Sequence, residues 1–312
     1  MLGRSLSVLG AALGSGKLSI LIYHQVLAVQ DPMRPSEPTV DTFNWQMQLL
    51  ARHFTPLPLD EAVVRLREGE LPNNAVCVTF DDGYRNNLTL AQPILARYAI
   101  PATVFVATGF IGGSNMWNDR VIHLFADPGR NSLILDGQTV ALQDWAQRSR
   151  LSLEWLQRLK YLPVMERRAA VDAMYVANGV EEQEPLMMNQ SEIRALHSAG
   201  LAIGAHTVNH PILKELSGSD QRVEIVRSRQ VLEGIVQAPV TQFAYPNGKR
   251  GTDFDDTAVD IVKSEGFCAA LSTDWGVSSA QTCPWQLRRF TPWDQSPMRF
   301  QARLHMNQLG RV

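Results

Sequence analysis

The sequence of 312 residues has few cysteines, no surplus of positive charge and no long apolar run. Its three cysteines (Cys77, Cys268 and Cys283) lack CxxC spacing, which argues against a disulfide framework and a thiolate zinc site. We expect them to be buried free thiols. Lysine and arginine number 29 against 31 acidic residues, so no basic excess indicates a nucleic-acid partner. No 18 consecutive residues are apolar, which excludes a membrane-spanning helix.

What the sequence does contain is an alternation of short apolar segments with amphipathic helices. This alternation predicts a parallel α/β barrel, in which chemistry gathers at the carboxyl ends of the strands. Residues from about 115 to 190 break the alternation and predict a helical insertion. The strands are predicted at 19–26, 75–80, 102–108, 201–205, 241–245, 267–272 and 286–290.

We expect one barrel domain over residues 18–312, preceded by an N-terminal extension over 1–17. The extension carries Arg4, a short apolar stretch at 6–13 and then small residues, so it weakly imitates a secretory signal or membrane anchor. The first strand follows almost at once, which leaves little room for cleavage. We therefore expect a cytoplasmic protein, with a periplasmic or membrane-peripheral location as the alternative if the extension acts as a signal.

Two adjacent carboxylates, Asp81 and Asp82, follow the strand at 75–80 directly. Such a pair is costly after an apolar strand unless it is solvated, paired or metal-bound. Gly83 can take a positive φ, so the backbone can turn and aim both side chains into one cleft. The alternative is an ordinary turn in which the aspartates bond their own backbone.

Two histidines, His206 and His210, follow the strand at 201–205 with the spacing of one helical turn, which suits a shared metal. A lone HxxxH is a weak signal, because surface and capping histidines are at least as common. Combined with one carboxylate of the Asp81-Asp82 pair, the imidazoles would form a ligand set with positions open for water. The second carboxylate would then be free to act as a base.

Two further strand ends carry polar groups. The segment FAYPNG (243–248) is typical of a turn, and the backbone N–H after Pro246 could also face a developing oxyanion. Tyr23-His24 lies at the end of the first strand, where a histidine is more often a hydrogen-bonded core residue.

Taken in order, TFDDGY (79–84), HTVNH (206–210) and FAYPNG resemble the motifs of the polysaccharide deacetylases of carbohydrate esterase family 4, the NodB-homology domain. The segment ILIYHQV (20–26) resembles the exopolysaccharide deacetylase branch, which carries a Tyr-His motif near its start. The resemblance covers most of residues 18–291 apart from the insertion. It implies a distorted (β/α)7-type barrel that removes N-acetyl groups from an amino-sugar polymer.

Residue by residue, the resemblance implies that Asp81 is the general base and Asp82 a metal ligand. The histidines of the family's His-[Ser/Thr]-x-x-His motif are the other ligands, which matches His206 and His210. In the family the residue after the motif proline offers its backbone N–H to the oxyanion, and Asn247 holds that place here. A main-chain donor does not depend on the side chain, so this difference is tolerable.

The sequence departs from the family pattern at the arginine that orients the base, which is absent from FAYPNG. We expect Arg289, or its neighbour Arg288, after a late strand to replace it. The family's late Leu-x-His motif, the source of the general acid, is also missing. In the Tyr-His branch the acid histidine lies at the front of the chain, so the resemblance implies His24 in that role rather than as a core residue.

The function implied is a metal-dependent hydrolase that uses one divalent ion and releases acetate from an N-acetylated glycan, either a polysaccharide or a glycolipid. We expect zinc, with cobalt, nickel, manganese or iron as alternatives, and partners in a polysaccharide biosynthesis pathway. Two other functions stay open. The missing arginine favours a carbohydrate-binding pseudoenzyme, and a related C–N hydrolase could act on a small cyclic amide.

Overall fold

The computed structural model describes residues 16–113 and 115–310, and within them seven parallel strands form a nearly closed barrel. Each of these strands pairs in parallel with its neighbours in the barrel. The last strand returns to the first, because the Ile22 N–H donates to the Phe290 carbonyl (3.1 Å) and the Phe290 N–H donates to Ile20 (2.7 Å). The predicted distorted (β/α)7-type barrel is confirmed.

The seven strands lie within a few residues of their predicted positions, and four short strands are added to them. In their order around the barrel, its strands are β1 (Lys17–Tyr23), β3 (Ala75–Phe80), β4 (Ala102–Val106), β7 (Ala202–Ala205), β8 (Gln242–Ala244), β9 (Ala269–Trp275) and β11 (Leu287–Arg289). The short strands are β2 (Thr55–Pro56), β5 (Ser132–Leu135), β6 (Gln138–Ala141) and β10 (Ser278–Ser279).

In the part of the chain that the structure describes, ten α-helices surround the barrel or belong to the insertion. They are α1 (Val40–His53), α2 (Leu59–Glu68), α3 (Gln92–Arg97), α4 (Trp117–Ala126), α5 (Trp145–Lys160), α6 (Val164–Asn178), α7 (Gln190–Ser198), α8 (Gly218–Val236), α9 (Asp256–Ser264) and α10 (Pro297–Gln308). Within the described ranges, no helix is long and apolar enough to cross a membrane.

Alternate residues of the barrel strands pack into two hydrophobic clusters, as the two faces of a strand require. One cluster fills the barrel and reaches helix α2, and its strand members include Ile20, Cys77, Phe105 and Leu271. The other joins the outer strand face to the surrounding helices. Gly204 of β7 leaves room for Phe105, since a Cβ there would lie 2.3 Å from the ring.

The insertion at about 115–190 has a hydrophobic core of its own, built from helices α4, α5 and α6 and from strands β5 and β6. The two strands form an antiparallel hairpin that the helical interpretation of this segment missed. Their turn is Asp136-Gly137, with φ of 49° and 74°.

The expectation of three buried thiols is wrong for two of them. Cys77 is buried in β3, but Cys268 and Cys283 are exposed, and all three are free. Cys268 precedes β9 and Cys283 precedes a short 3₁₀ turn, so both lie in surface connections. The predicted N-terminal extension lies almost wholly outside the described residues.

Candidate metal centre and active site

The side chains singled out by sequence come together at one end of the barrel. His24 follows β1, Asp81 and Asp82 follow β3, and His206 and His210 follow β7. These five line one cavity of about 450 Å³, together with Asn247 after β8. In a parallel barrel the carboxyl ends of all strands share one rim, which is why residues so far apart in sequence meet here.

The Asp81-Asp82-Gly83 turn directs both carboxylates into this cavity. The Asp81 N–H still donates to the Tyr23 carbonyl (2.9 Å) and so continues the β1–β3 pairing. Asp82 then takes a φ of 73° and Gly83 a φ of 92°. Aspartate tolerates the left-handed region better than most residues, and glycine adopts it freely. The backbone therefore bends at once, and adjacent carboxylates face the same space.

One carboxylate and two imidazoles form a compact group of potential metal ligands. The Nε2 atoms of His206 and His210 each lie 3.4 Å from Oδ1 of Asp82. One ligand atom from each residue falls within 4.8 Å of the others. Oδ1 of Asp82 is buried and accepts no hydrogen bond from the described part of the chain. Two nitrogen ligands and one such oxygen converging on one point fit a divalent cation.

The His206 ring is held in the form that a metal requires. Its Nδ1 donates to the Ala244 carbonyl at 2.7 Å, which leaves the lone pair of Nε2 facing Asp82. Burial lowers the pKa of His210 to about 3, so this imidazole is neutral. Burial alone would also lower the pKa of His206, but the charges of Asp81 and Asp82 outweigh it and raise the pKa. The two carboxylates thus favour a positive charge at this point, whether a proton or a metal ion.

The segment from His206 to His210 is a loop, and the predicted helical turn is wrong. Thr207 and His210 have φ of 63° and 51°, so the chain cannot continue as a right-handed helix. Glu224 of α8 holds the loop in place, because its carboxylate accepts from the N–H groups of Val208 (2.8 Å) and Asn209 (2.9 Å) and from the Asn209 amide (2.7 Å). No motif in the sequence indicates this role of Glu224.

Asp81 is held by Arg289 in a buried two-pronged ion pair, with N–O distances of 2.7 and 2.8 Å. Burial would raise the pKa of Asp81, but Arg289, helped by His206 and His24, outweighs burial and holds the pKa below its usual value. Arg288, the other candidate, is exposed. The contact that the absent motif arginine would make is therefore made by Arg289.

His24 and Asn247 lie in the same cavity without joining the group of ligands. His24 is half-buried and lines the cavity together with Asp81 and Asp82, where a positive charge on its ring would lower the pKa of both carboxylates. The His24 carbonyl accepts from the Asn87 amide at 2.9 Å, which fixes the backbone at the end of β1. Asn247 has a φ of 57° in the turn after Pro246.

The cavity also contains a polar network that no sequence motif indicated. Asp119 of α4 accepts from Arg34 (2.9 Å) and from the Tyr84 hydroxyl (2.8 Å), and it links the insertion to the barrel rim. Burial raises the pKa of Asp119 despite these contacts. Glu37, whose pKa burial also raises, accepts from the Gln25 N–H at 3.2 Å.

This nearly closed (β/α)7 barrel, with two imidazoles and a carboxylate at its strand ends, has the architecture of the carbohydrate esterase family 4 deacetylases. It superposes on the Streptococcus pyogenes deacetylase PplD with a TM-score of 0.60 and 21% sequence identity, covering 90% of this chain and 95% of that one. IcaB from Ammonifex degensii superposes with a TM-score of 0.59 and 19% identity, covering 95% and 98%.

Sequence comparison agrees with the fold. The polysaccharide deacetylase family model matches residues 68–130 and 159–270. A poly-beta-1,6-N-acetyl-D-glucosamine N-deacetylase of Staphylococcus aureus is 36% identical over 77 residues, which are 24% of this chain and 27% of that protein. The chain belongs to the polysaccharide deacetylase family, whose members are hydrolases.

Proposed function

We propose that this protein removes N-acetyl groups from an amino-sugar polysaccharide or glycolipid and depends on one divalent metal ion. Zinc is the ion that we propose first, with cobalt, nickel, manganese or iron as alternatives. The observation that carries the proposal is the placement of the Asp81–Arg289 pair beside Asp82, His206 and His210. Nε2 of His206 lies 4.0 Å from Oδ2 of Asp81 and 3.4 Å from Oδ1 of Asp82. A base and a ligand set are thus adjacent but distinct.

Asp82, His206 and His210 would hold the ion, which supplies a Lewis acid for water and for the acetamide carbonyl. Asp81 then takes the proton of the attacking water at its carboxylate, which Arg289 keeps ionised. Asn247 lines the same cavity, and its backbone N–H would donate to the oxygen on which negative charge develops. As the C–N bond breaks, His24 gives its proton to the departing amine, and acetate and a sugar amine are the products.

The pseudoenzyme alternative rested on the missing motif arginine. Since Arg289 makes the equivalent contact with Asp81, the missing motif arginine no longer favours a pseudoenzyme. The cyclic-amide alternative stays a prediction, as do a cytoplasmic location and partners in polysaccharide biosynthesis.

Acetate release from N-acetylglucosamine oligomers tests the proposal. We expect release by the protein as purified, loss of release after chelation and recovery with zinc. Small cyclic amides form the second set of substrates. If oligomers release no acetate under any metal condition, the proposed function fails, and hydrolysis of a cyclic amide alone would favour the alternative hydrolase.

A further inference from the structure

A second cavity, of about 460 Å³, lies between the insertion and the His206–His210 loop. The first turns of α4 and α6 line it, and Asn209 of the His206–His210 loop reaches it. Neither helix has a side chain that caps its first turn, since Met116 and Pro163 occupy the cap positions. Two helix ends with partial positive charge therefore meet at this cavity.

Arg167 is the buried cation of this cavity. Only 3% of its surface is exposed, and its guanidinium stacks 4.7 Å from the Trp117 ring. Its hydrogen bonds reach two backbone carbonyls, Lys160 at 3.2 Å and His210 at 3.5 Å. Among the residues that the structure describes, it forms no ion pair. Burial lowers the pKa of Arg167 and the negative charge of Glu224 partly offsets this, but both carboxylate oxygens of Glu224 already accept from N–H groups of the His206–His210 loop.

Arg148, in the same insertion, is a buried arginine with a purely structural role, and its hydrogen bonds can be compared with those of Arg167. It is equally buried and lies over the Trp145 ring at 5.3 Å. Its guanidinium donates to four backbone carbonyls, three of them at 2.6 to 3.0 Å, and it lines neither cavity. Arg167 has the same burial and a similar stacking contact, but among the described residues its guanidinium makes two hydrogen bonds rather than four, so its other N–H donors remain available.

The other groups of the cavity also suit a negatively charged ligand. The two lining carboxylates, Asp172 and Glu182, both bind Arg120, at 2.7 and 2.5 Å. Arg168 lies exposed at the rim. Three buried donors of lining residues, Nε1 of Trp117, Nε of Arg120 and Nε2 of Gln183, have no hydrogen-bond partner within the described ranges. Buried donors without partners and a buried cation without a carboxylate are costly unless a ligand supplies acceptors.

We propose that this cavity binds an oxyanion, either a carboxylate or a phosphate, carried by the substrate glycan, with Arg167 as its counter-charge. The inference rests on the proposed function and narrows its substrate class to acidic N-acetylated glycans. Because Arg167 contacts the His210 carbonyl, the anion lies on a sugar next to the one that loses its acetyl group. The planar fork of an arginine suits both oxyanions.

Calorimetric binding to the full chain tests this inference. The Asp81→Asn background prevents loss of the acetyl group during titration. The probes are a neutral N-acetylglucosamine dimer, a dimer in which one sugar is glucuronic acid, and a dimer with one phosphate monoester. We expect one of the two acidic dimers to bind roughly 10- to 100-fold more tightly than the neutral dimer, which is the range of a charge-assisted hydrogen bond. Which of the two binds more tightly shows whether the cavity prefers a carboxylate or a phosphate.

Two further variants in the same background test the role of Arg167. Adding Arg167→Met should bring the ratio of acidic to neutral affinity near one, and adding Arg148→Met should leave this ratio unchanged.

Equal binding of all three dimers would overturn the inference even if Arg167→Met fails to fold. So would a variant that lowers the affinity for neutral and acidic dimers alike, because that is the signature of a structural arginine. The proposed deacetylase function fails separately, by the absence of acetate release from every polymer, and that result leaves the binding preference measurable.

Discussion

Arg289 and Asp81, 208 residues apart in sequence, form a bidentate ion pair that is almost fully buried. The Nε of Arg289 also donates to the Ser272 carbonyl at 2.8 Å, and this second contact holds the guanidinium in position independently of the Asp81 carboxylate. Removing one partner of such a pair leaves the other charge buried and uncompensated. The pair thus orients Asp81 and is the main reason that its pKa lies below the usual value.

The first prediction concerns the pH profile of Arg289→Met. In the proposed mechanism the ionised form of Asp81 is the active base, and the pKa of Asp81 is low because Arg289 outweighs burial. Without the guanidinium, burial raises this pKa, so activity persists only at higher pH. We expect the acid limb of kcat/KM to move upward by roughly 1–3 pH units. The exposed neighbour is the control, since Arg288→Met should keep the wild-type profile. An unmoved acid limb in Arg289→Met would remove Arg289 from this role.

Asp81→Asn should separate catalysis from metal binding. The variant keeps Asp82, His206 and His210, so we expect it to retain the ion and to lose turnover by roughly 10²- to 10⁴-fold, the usual contribution of a positioned base. The measurements are acetate release and metal content on the same sample. Asp253→Asn is the matched control, because Asp253 is equally buried but binds Lys160 and the Lys249 N–H away from the cavity. Unchanged turnover in Asp81→Asn contradicts the assignment.

Loss of a ligand should remove the metal. We expect Asp82→Ala, His206→Ala and His210→Ala each to weaken zinc affinity by more than roughly 100-fold, beyond the loss typical of a merely supporting contact. The zinc affinity is measured from the metal that remains bound after dialysis against zinc buffers. His197→Ala provides the control, since His197 is a half-buried histidine whose Nδ1 lies 3.3 Å from the Leu201 carbonyl and which lines neither cavity. Retention of a full equivalent by any of the three variants would exclude that residue as a ligand.

The role of His24 as proton donor is testable with two leaving groups. An amine needs a proton to depart from a tetrahedral intermediate, whereas a nitrophenolate does not. We expect His24→Ala to slow hydrolysis of the N-acetyl sugar by roughly 10²- to 10⁴-fold and that of an aryl acetate by less than about tenfold. His197→Ala should affect neither substrate. Equal slowing of both would mean that His24 positions the substrate instead of donating a proton.

Sequence patterns predicted the barrel well because its strands are short, apolar and separated by clear helix signals. Strand β3 lies at 75–80 as predicted, since its continuous apolar run ends abruptly at Asp81. The spacing of His206 and His210 predicted their proximity but not the loop between them, because positive φ at Thr207 and His210 leaves no mark on an HxxxH pattern.

Long-range contacts were harder to predict than strand positions. Nothing local indicates that Glu224 holds the histidine loop, since the two are joined only through packing of α8 on the barrel. Two signals were present but unused. Strand alternation with buried Leu287 would have favoured Arg289 over Arg288 as the inward arginine. Asp136-Gly137 between two apolar segments is typical of a hairpin turn, and it predicts β5 and β6.

The last prediction concerns Gly83, which follows Asp82 in the turn. Its φ is 92°, and a Cβ there would lie 2.9 Å from Cγ1 of Val106. Gly69, at the end of α2, has a φ of 73° but no atom within 4 Å of the equivalent position. Both Gly→Ala variants therefore suffer the left-handed strain of roughly 1–2 kcal/mol, and only Gly83→Ala adds a steric cost of roughly 1–3 kcal/mol.

Urea unfolding of the two variants measures this difference directly. We expect Gly83→Ala to have the lower free energy of unfolding and, because the turn must shift to relieve the contact with Val106, to displace Asp82 and weaken zinc affinity. Gly69→Ala should keep wild-type zinc affinity despite its strained backbone. If the two variants match in both measurements, the close approach of Gly83 to β4 does not position the carboxylates, and their convergence must depend on Asp82 itself and on the Arg289 pair.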